Sequence, residues 1–242
     1  KGADPSGTTN GTSNSKFLVD GPILVKDIYS PAMGRPDKGN WKTVLIGSLG
    51  YGGKGYYALD ISDPRNPIFM GAVENDDKNN RVLHWNRGGE MQVSKYGTGS
   101  EAMDTSHNKY PYQFLGYTLS KPSIALLPYG QATTPSFQQR YAMIFGAGYA
   151  GGMTTNQGNY VIVANADAVK TLTGSAAPDG NRYPTNGPFD ALAWAKVPID
   201  PASDANKGVT AAMSVVTPGK LSISESDFYG GIAYFPDLQG QL

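Results

Sequence analysis

The sequence contains no cysteine, and that absence excludes several kinds of chemistry at once. None of the 242 residues is a cysteine. The chain therefore has no disulfide bond, no thiolate metal ligand and no cysteine nucleophile. The absence does not by itself indicate a cellular compartment.

An excess of charge of one sign is also missing. The chain has 20 lysines and arginines against 20 aspartates and glutamates, so its net charge is zero. Because nucleic acids and anionic membranes attract a positively charged surface, this balance predicts neither as a partner. No apolar run approaches the roughly 18 residues that a membrane-spanning helix needs, so we do not expect this chain to span a bilayer.

Histidine is scarce, and the common catalytic signatures are absent. The two histidines, His84 and His107, lie in a polar segment. The sequence has neither the HExxH pattern of zinc proteases nor the GxSxG pattern of serine hydrolases. A histidine in a polar loop is usually solvated, so we expect neither residue to be a metal ligand or a general base. The sequence therefore yields no catalytic, cofactor-binding or metal-binding residue.

Glycine and tyrosine are abundant, with 31 and 15 residues, which is typical of an extracellular β-protein. The glycines separate apolar phrases that occur twice in the same order and a third time in part. The three copies occupy residues 17–63, 117–167 and, from its first phrase, 212–223. Self-similarity of this kind indicates repeated units that stack on their neighbours.

Prolines give the period of this repeat. Pro22, Pro122 and Pro218 stand at matching points, which gives periods of 100 and 96 residues. Within a unit, Gly47 follows Pro22 by 25 residues and Gly146 follows Pro122 by 24. A spacing kept to one residue supports a common structure for the first two units.

Each unit has the pattern of a four-stranded propeller blade. Apolar and polar positions alternate in the third phrase, with Tyr57, Leu59 and Ile61 on one side, as in a strand with one buried face. The segments IFMGAVE and ALAWAKVPI supply a fourth strand for the first two units. The predicted fold is all-β, a β-propeller of modified quinoprotein-like type, with two blades and part of a third in this segment.

The predicted domain organisation follows from these units. Closed propellers need about four to eight blades, so we interpret the chain as a segment of a larger protein. The period exceeds the usual roughly 40 to 50 residues per blade, which predicts long loop insertions. The predicted segments are a linker or mobile loop at 1–16, a partial propeller at 17–242 with units at about 17–74, 117–200 and 209–242, and insertions at 75–115 and 171–189.

Two glycine motifs imitate a dinucleotide-binding site. GYGGKG at 50–55 and GAGYAG at 146–151 both fit G-x-G-x-x-G. Binding of a pyrophosphate requires a helix after the glycines, whereas strand-forming residues follow both motifs. Lys54 is followed by Gly55, not by Ser or Thr, which excludes a P-loop. We predict hairpin turns between blade strands, with glycines at positive φ.

The segment 75–115 carries the remaining candidate side chains. Asp76 and Asp77 lack the alternating acidic order of a calcium loop, so a solvated turn is the better interpretation. The aromatic residues of this segment could form either a recognition surface or a packed cover over the blade, and we favour the cover. They are Trp85, Tyr96, Tyr110, Tyr112 and Phe114.

Four ordered phrases resemble a known family. They are WKTVLIGSLGYGGKGYYALDISDP at 41–64, LGYTLSKPSI at 115–124, IFGAGY at 144–149 and YFPDLQGQL at 234–242. In combination they resemble the carboxy-terminal propeller of the PilC/PilY family of type IV pilus tip and biogenesis proteins. The resemblance implies a secreted bacterial protein, exported through the periplasm and outer membrane, whose propeller sits with minor pilins at the pilus tip. It also implies support of pilus extension and adhesion to host or abiotic surfaces.

One segment departs from the family pattern. Members often carry an aspartate-rich calcium loop before the YxGDLxGxxW-like strand, and the matching stretch here is 220–231. Ser222, Ser224 and Ser226 stand where carboxylates would be needed, with Asp227 after them. Hydroxyl groups alone are weak calcium ligands. We therefore expect no calcium at this loop and no cofactor in this segment.

Two function classes follow from the sequence and the resemblance. The first is a non-enzymatic pilus adhesin or biogenesis factor. The second is a quinoprotein-type dehydrogenase, in which the propeller would hold a quinone over a tryptophan. Trp41, Trp85 and Trp194 fall in two different strand positions and a loop, a distribution typical of blade packing. We favour the non-enzymatic class.

Overall fold

The computed structural model describes about half of the chain, and this part is almost entirely β-structure. The described residues are 19–29, 41–85, 89–96, 111–129, 138–149, 157–166, 195–198, 208–216, 232–236 and 238. Two single-turn 3-10 helices, Asp77–Asn79 and Pro111–Phe114, accompany the strands. The strands are β1 (Ile23–Tyr29), β2 (Trp41–Ser48), β3 (Gly55–Asp60), β4 (Ile68–Asp76), β5 (Arg81–Trp85), β6 (Met91–Lys95), β7 (Ser123–Tyr129), β8 (Gln138–Gly146), β9 (Tyr160–Asn165), β10 (Ala195–Pro198), β11 (Ser214–Val216) and β12 (Ile232–Tyr234).

These strands form three antiparallel sheets in chain order. The first sheet contains β1 to β6 in sequence, the second contains β7 to β10, and the third pairs β11 with β12. Each sheet is a meander, because every strand pairs with the one before it. The predicted all-β propeller, with two blades and part of a third, is confirmed for the described residues.

The first sheet is wider than predicted. Strands β5 and β6 lie within 75–115, which we expected to be a loop without strand periodicity, and they extend the sheet to six strands. Alternation is present in β5, where Val82 and His84 are buried. This alternation was not recognised in the sequence because two of the five residues of β5, Arg81 and His84, are polar.

The register of the first two units also differs from the prediction. Gly50 and Gly148 both have positive φ, 64° and 92°. The amide of each glycine donates a hydrogen bond to the segment that leads into the next sheet. Gly50 N donates to Thr118 O at 3.2 Å, and Gly148 N donates to Val209 O at 3.2 Å. These two glycines are therefore equivalent, so Gly47 matches Phe145 and not Gly146. The one-residue difference matters because it moves every strand side chain to the opposite face.

The third unit was misaligned as well. Strands β1 and β7 begin one residue after Pro22 and Pro122, whereas β11 (Ser214–Val216) ends before Pro218. Pro218 is therefore not equivalent to the other two prolines. Ser214, the first residue of β11, follows Ser123, the first residue of β7, by 91 residues, so the second period is shorter than the proline spacing suggested.

The hydrophobic core lies between the sheets. Met143, Phe145 and Ile162 belong to a buried cluster shared with the first sheet, whereas Ile144 and Val161 belong to a second cluster shared with the third unit. Period-2 alternation along β8 and β9 therefore buries both faces of the second sheet. Each fully buried aliphatic or aromatic side chain stabilises the fold by about 1.5 to 3 kcal/mol.

Candidate functional site

The first glycine motif forms the hairpin turn between β2 and β3. Strand β3 begins at Gly55, directly after the turn, so no helix is present to bind a phosphate. The Gly52 amide donates to Leu49 O at 3.0 Å inside the turn. The prediction of a structural hairpin is confirmed here. In the second motif Gly148 has the predicted positive φ, and residues 150–151 lie outside the described part of the chain.

Two buried hydroxyl groups tie the sheets together near these turns. Thr118 Oγ1 donates to Gly55 O at 2.8 Å and accepts from the Leu49 amide at 3.1 Å, which joins the second unit to the first. Ser120 Oγ donates to Ala211 O at 3.0 Å, which joins the second unit to the third. Both side chains are fully buried, so their hydrogen bonds are made within the protein.

Tyr56 packs across the boundary between the first two sheets. Its ring lies 4.3 Å from the ring of Phe145, and its hydroxyl donates to Gly146 O at 2.9 Å. Burial raises the pKa of this phenol far above its ordinary value, with a smaller opposing effect of the hydrogen bond with Ser120. The hydroxyl is therefore a neutral donor, and Tyr56 has a structural role.

Lys54 links three segments by polar contacts. Its Nζ lies 2.6 Å from Asp77 Oδ2 and 2.9 Å from Gln157 Oε1, and 5.5 Å from the centre of the Tyr117 ring. The lysine of the glycine motif thus joins the first sheet to the turn that precedes β9. The charge of Lys54 is therefore paired within the protein.

The two aspartates of the predicted turn have separate partners. Asp76 accepts hydrogen bonds from the Asn79 side chain and from Arg81 Nε, the latter at 2.6 Å, and these hold the pKa of its carboxyl below the ordinary value. Asp77 instead pairs with Lys54. Across the described residues, no group of three or more His, Cys, Asp or Glu side chains is placed to hold a metal ion.

The aromatic cover is confirmed for Tyr96, Tyr112 and Phe114. Tyr112 and Phe114 are buried, with 1% and 2% of their surface exposed, and they lie between the sheets. Tyr96 packs against the same core and its hydroxyl donates to Asn75 Oδ1. Asn75 in turn donates to Gln113 O at 2.9 Å and Leu115 O at 2.7 Å, which fixes the connection to the second unit.

His84 contradicts the expectation of a solvated histidine. It is buried on β5, with its ring 5.8 Å from that of Tyr112 in an edge-to-face arrangement. The prediction was wrong because His84 occupies an inward position of a strand that was interpreted as a loop. Trp85 follows it at the end of β5 and is half-buried.

Several predicted features lie outside the described residues. They are His107, Tyr110, Trp194, the segment 1–16, the insertion 171–189 and the serine-rich loop 220–231 with Ser222, Ser224, Ser226 and Asp227.

The most conspicuous surface was not singled out by sequence reasoning. Side chains of alternate residues in the first sheet point away from the second sheet, and many are apolar. Trp41 is 59% exposed and packs against Tyr29 with ring centres 5.5 Å apart. The phrases ILV and VLIG have apolar residues at both alternating positions, which is the pattern of a strand covered on both faces. That signal was available in the sequence.

One further property concerns membranes. Among the described residues, no helix has the length and apolar character needed to cross a bilayer.

Comparisons with known proteins give consistent matches. A family model described as the PilY1 beta-propeller domain matches residues 7–220. The chain is 30% identical over 134 residues, 55% of its length, to the type IV pilus biogenesis factor PilY1 of Pseudomonas aeruginosa strain UCBPP-PA14. It is 24% identical over 235 residues, 93% of its length, to a type IV pilus biogenesis factor PilY1 homolog of Xylella fastidiosa.

These relatives are much longer than the chain. It spans 7% of the Pseudomonas protein and 11% of the Xylella homolog that it matches over 235 residues. A solved structure of the Pseudomonas aeruginosa PilY1 C-terminal domain superposes with a TM-score of 0.45 at 22% identity, covering 92% of this chain and 28% of that one. Because the family model covers most of the sequence and the described sheets are blade-like, this chain belongs to the family of PilY1 β-propeller domains.

Proposed function

We propose that this chain is a propeller segment of a type IV pilus biogenesis factor. The match of the PilY1 β-propeller family over residues 7–220 carries this proposal. The relatives from Pseudomonas and Xylella bear the name of such a factor. In this proposal the protein is exported through the periplasm and outer membrane and acts at the bacterial surface.

The propeller acts without catalysis in this proposal. The polar side chains that drew attention in the sequence are used for internal contacts: Lys54 and Asp77 pair with each other, and His84 is buried under Tyr112. Buried hydroxyl groups of Thr118 and Ser120 join successive units. A rigid scaffold of this kind suits a protein that docks on other subunits.

The partners proposed are minor pilins at the pilus tip, with adhesion to a host or abiotic surface as a second role. A scaffold that docks on pilins would support pilus extension. In this proposal adhesion depends on the predicted insertion 75–115, of which residues 97–110 lie outside the described part of the chain.

The test is recovery of the whole protein with sheared pili. One variant lacks residues 99–108, a deletion that spares β5, β6 and the cover residues Tyr112 and Phe114. We expect minor pilins to accompany both proteins, as measured by mass spectrometry, and surface attachment to fall only in the deletion variant. A matched control replaces the same ten residues with a Gly/Ser linker of equal length.

Two results would contradict the proposal. Recovery of neither protein with pili would remove the pilus function. A quinone absorbance band in the purified protein, with dehydrogenase activity, would instead favour the quinoprotein class.

A further inference from the structure

A lysine and an aspartate are buried together in the first sheet. Lys42 lies on β2 and Asp60 is the last residue of β3, and their side chains are only 2% and 3% exposed. Lys42 Nζ lies 3.6 Å from Asp60 Oδ2. Among the described residues, Asp60 alone lies within ion-pair distance of this ammonium. Lysine and aspartate are rarely buried so completely, so the pair requires an explanation.

The nearest cross-strand neighbours of this pair are apolar. Ile28 on β1 lies opposite Lys42, and Val44 on β2 lies opposite Asp60. Both aliphatic side chains are fully buried. An ammonium and a carboxylate lose hydration in such surroundings, and only good hydrogen-bond geometry offsets that loss. The separation of 3.6 Å exceeds the roughly 2.7 to 2.9 Å of a charge-assisted hydrogen bond, so the ionised pair is poorly stabilised.

Ser62 makes the two carboxyl oxygens of Asp60 unequal. Its amide and its hydroxyl both donate to Asp60 Oδ1, at 3.0 Å and 2.6 Å. The Ser62 hydroxyl oxygen accepts from the Thr43 amide at 3.0 Å, which fixes its position beside Asp60. Two donors therefore hold Oδ1, whereas Oδ2 faces Lys42. A pair of donors aimed at one oxygen is the arrangement that stabilises an oxyanion during acyl transfer.

We propose that Lys42 and Asp60 condense to form an amide bond between their side chains, which joins β2 to β3 covalently. Transfer of one proton from the ammonium to Oδ2 gives an amine and a carboxylic acid, the neutral forms that apolar surroundings favour. The lone pair of Nζ then attacks Cγ, and the negative charge forms on Oδ1, where Ser62 donates two hydrogen bonds.

The products of this step are one amide and one water molecule. Nζ gives a second proton to Oδ2, the bond between Cγ and Oδ2 breaks, and Oδ2 leaves as water. The electron pair on Oδ1 restores the carbonyl, and one hydrogen stays on the amide nitrogen. No oxidant or other reactant is consumed. Because the paired strands hold both groups in place, the reaction is unimolecular and gains the corresponding advantage in rate.

The amide replaces two buried charges with one neutral group. It also supplies a covalent link that this chain cannot make in another common way, because the sequence has no cysteine for a disulfide bond. The link closes the hairpin of β2 and β3 at the end opposite its turn. The proposal holds or fails independently of the pilus function.

The test is a tryptic peptide map of the whole protein as its cells make it, denatured before digestion. Without the bond, trypsin cleaves after Lys42 and releases 43–54 and 55–65 as separate peptides. With the bond, cleavage after Lys42 is blocked, and 39–54 stays joined to 55–65. The joined species has the summed mass of its two peptides less one water molecule. Tandem mass spectrometry then locates the branch at Lys42 and Asp60.

We expect the joined species to replace the separate peptides. Recovery of 43–54 and 55–65 as separate peptides, with no joined species, overturns the proposal and leaves an ordinary buried ion pair. This measurement uses the unaltered protein, so its outcome does not depend on whether any variant folds.

Lys42→Arg is the matched control. Arginine keeps the positive charge beside Asp60 but does not form this amide, because its guanidinium stays protonated. The variant should yield 55–65 as a separate peptide, with no loss of water. A joined species that persists in this variant overturns the assignment to Lys42.

Ser62→Ala tests the proposed stabilisation of the oxyanion. It removes the hydroxyl donor and keeps the amide donor. The joined fraction, followed over time after synthesis is induced, should rise about 100-fold more slowly, as expected for the loss of one such donor. An unchanged rate overturns the role assigned to Ser62.

Discussion

The first and second sheets come from the same repeat but differ in how they are covered. The second sheet is buried on both faces, by the first sheet through Phe145 and by the third unit through Ile144. The first sheet is buried on one face, where Ile46 and Tyr56 lie, and exposed on the other. The comparison shows that a sheet whose strands have apolar residues at both alternating positions can be buried on both faces, as the second sheet is, or on one face, as the first sheet is.

The largest expected effect comes from truncating a side chain on the doubly covered sheet. Phe145→Ala removes a fully buried ring between the first two sheets, so we expect a loss of about 3 to 5 kcal/mol in the free energy of unfolding. A change at an exposed apolar position of the first sheet, Val25→Ala, should cost about 0.5 kcal/mol or less, as other surface substitutions do. Urea denaturation of the 242-residue chain measures both. Similar losses for the two variants would contradict the difference in coverage.

A smaller effect is expected at Gly148, which follows β8 in the second sheet and donates a hydrogen bond to Val209 of the third unit. Gly148 has φ of 92°, and a Cβ there would lie 2.1 Å from Tyr117 O. Gly148→Ala combines backbone strain with a clash against backbone, so we expect a loss of about 2 kcal/mol or more.

Gly89 provides the matched control for this turn. Its φ is 76°, but an added Cβ there would meet nothing within 4 Å. Gly89→Ala therefore isolates the strain, which amounts to about 1 kcal/mol. Denaturation midpoints compare the two variants, and a cost at Gly89 equal to that at Gly148 would show that the contact with Tyr117 contributes nothing.

The smallest expected effect is electrostatic and concerns Glu74, on the face of the first sheet that points away from the second sheet. Burial raises the pKa of the Glu74 carboxyl above 4.5, and repulsion by Asp76 raises it further. The folded state therefore loses stability as the pH rises from the ordinary pKa of a glutamate through the raised pKa of Glu74, and below the ordinary pKa this penalty is absent. Glu74→Gln should raise the Tm slightly at pH 7 and leave it unchanged at pH 3. An equal gain at both values would assign the effect to packing.

Much of this fold was predictable from local patterns. The repeated phrases, the alternation around Tyr57 and the glycines after strand-forming residues indicated blades joined by hairpins, and the structure contains them. Patterns failed where a short strand carried polar residues. His84 on β5 is buried because the sheet and Tyr112 surround it, and neither contact is visible from the five residues of that strand.

Alignment of the repeats was the second failure. The sequence around Pro218 is similar to that around Pro22 and Pro122. Pro218 nevertheless follows strand β11, whereas Pro22 and Pro122 precede strands β1 and β7. The match of Gly47 with Gly146 was one residue out of register, and a single step reverses the faces of a strand. Hydrogen bonds of Gly50 and Gly148 to the next unit settle the register, and these are contacts between residues more than 60 positions apart.

The sequence by itself determined the class of fold, the repetition of blade units and the positions of the tight turns. These depend on side-chain alternation and on the backbone freedom of glycine, which are properties of adjacent residues. Only the tertiary structure decided which face of each blade meets which neighbour, why Lys54 and Tyr56 are structural, and where apolar surface is left uncovered. Those outcomes depend on packing between units almost a hundred residues apart. The sequence of a strand shows which side chains share a face, but it does not show which other sheet that face contacts.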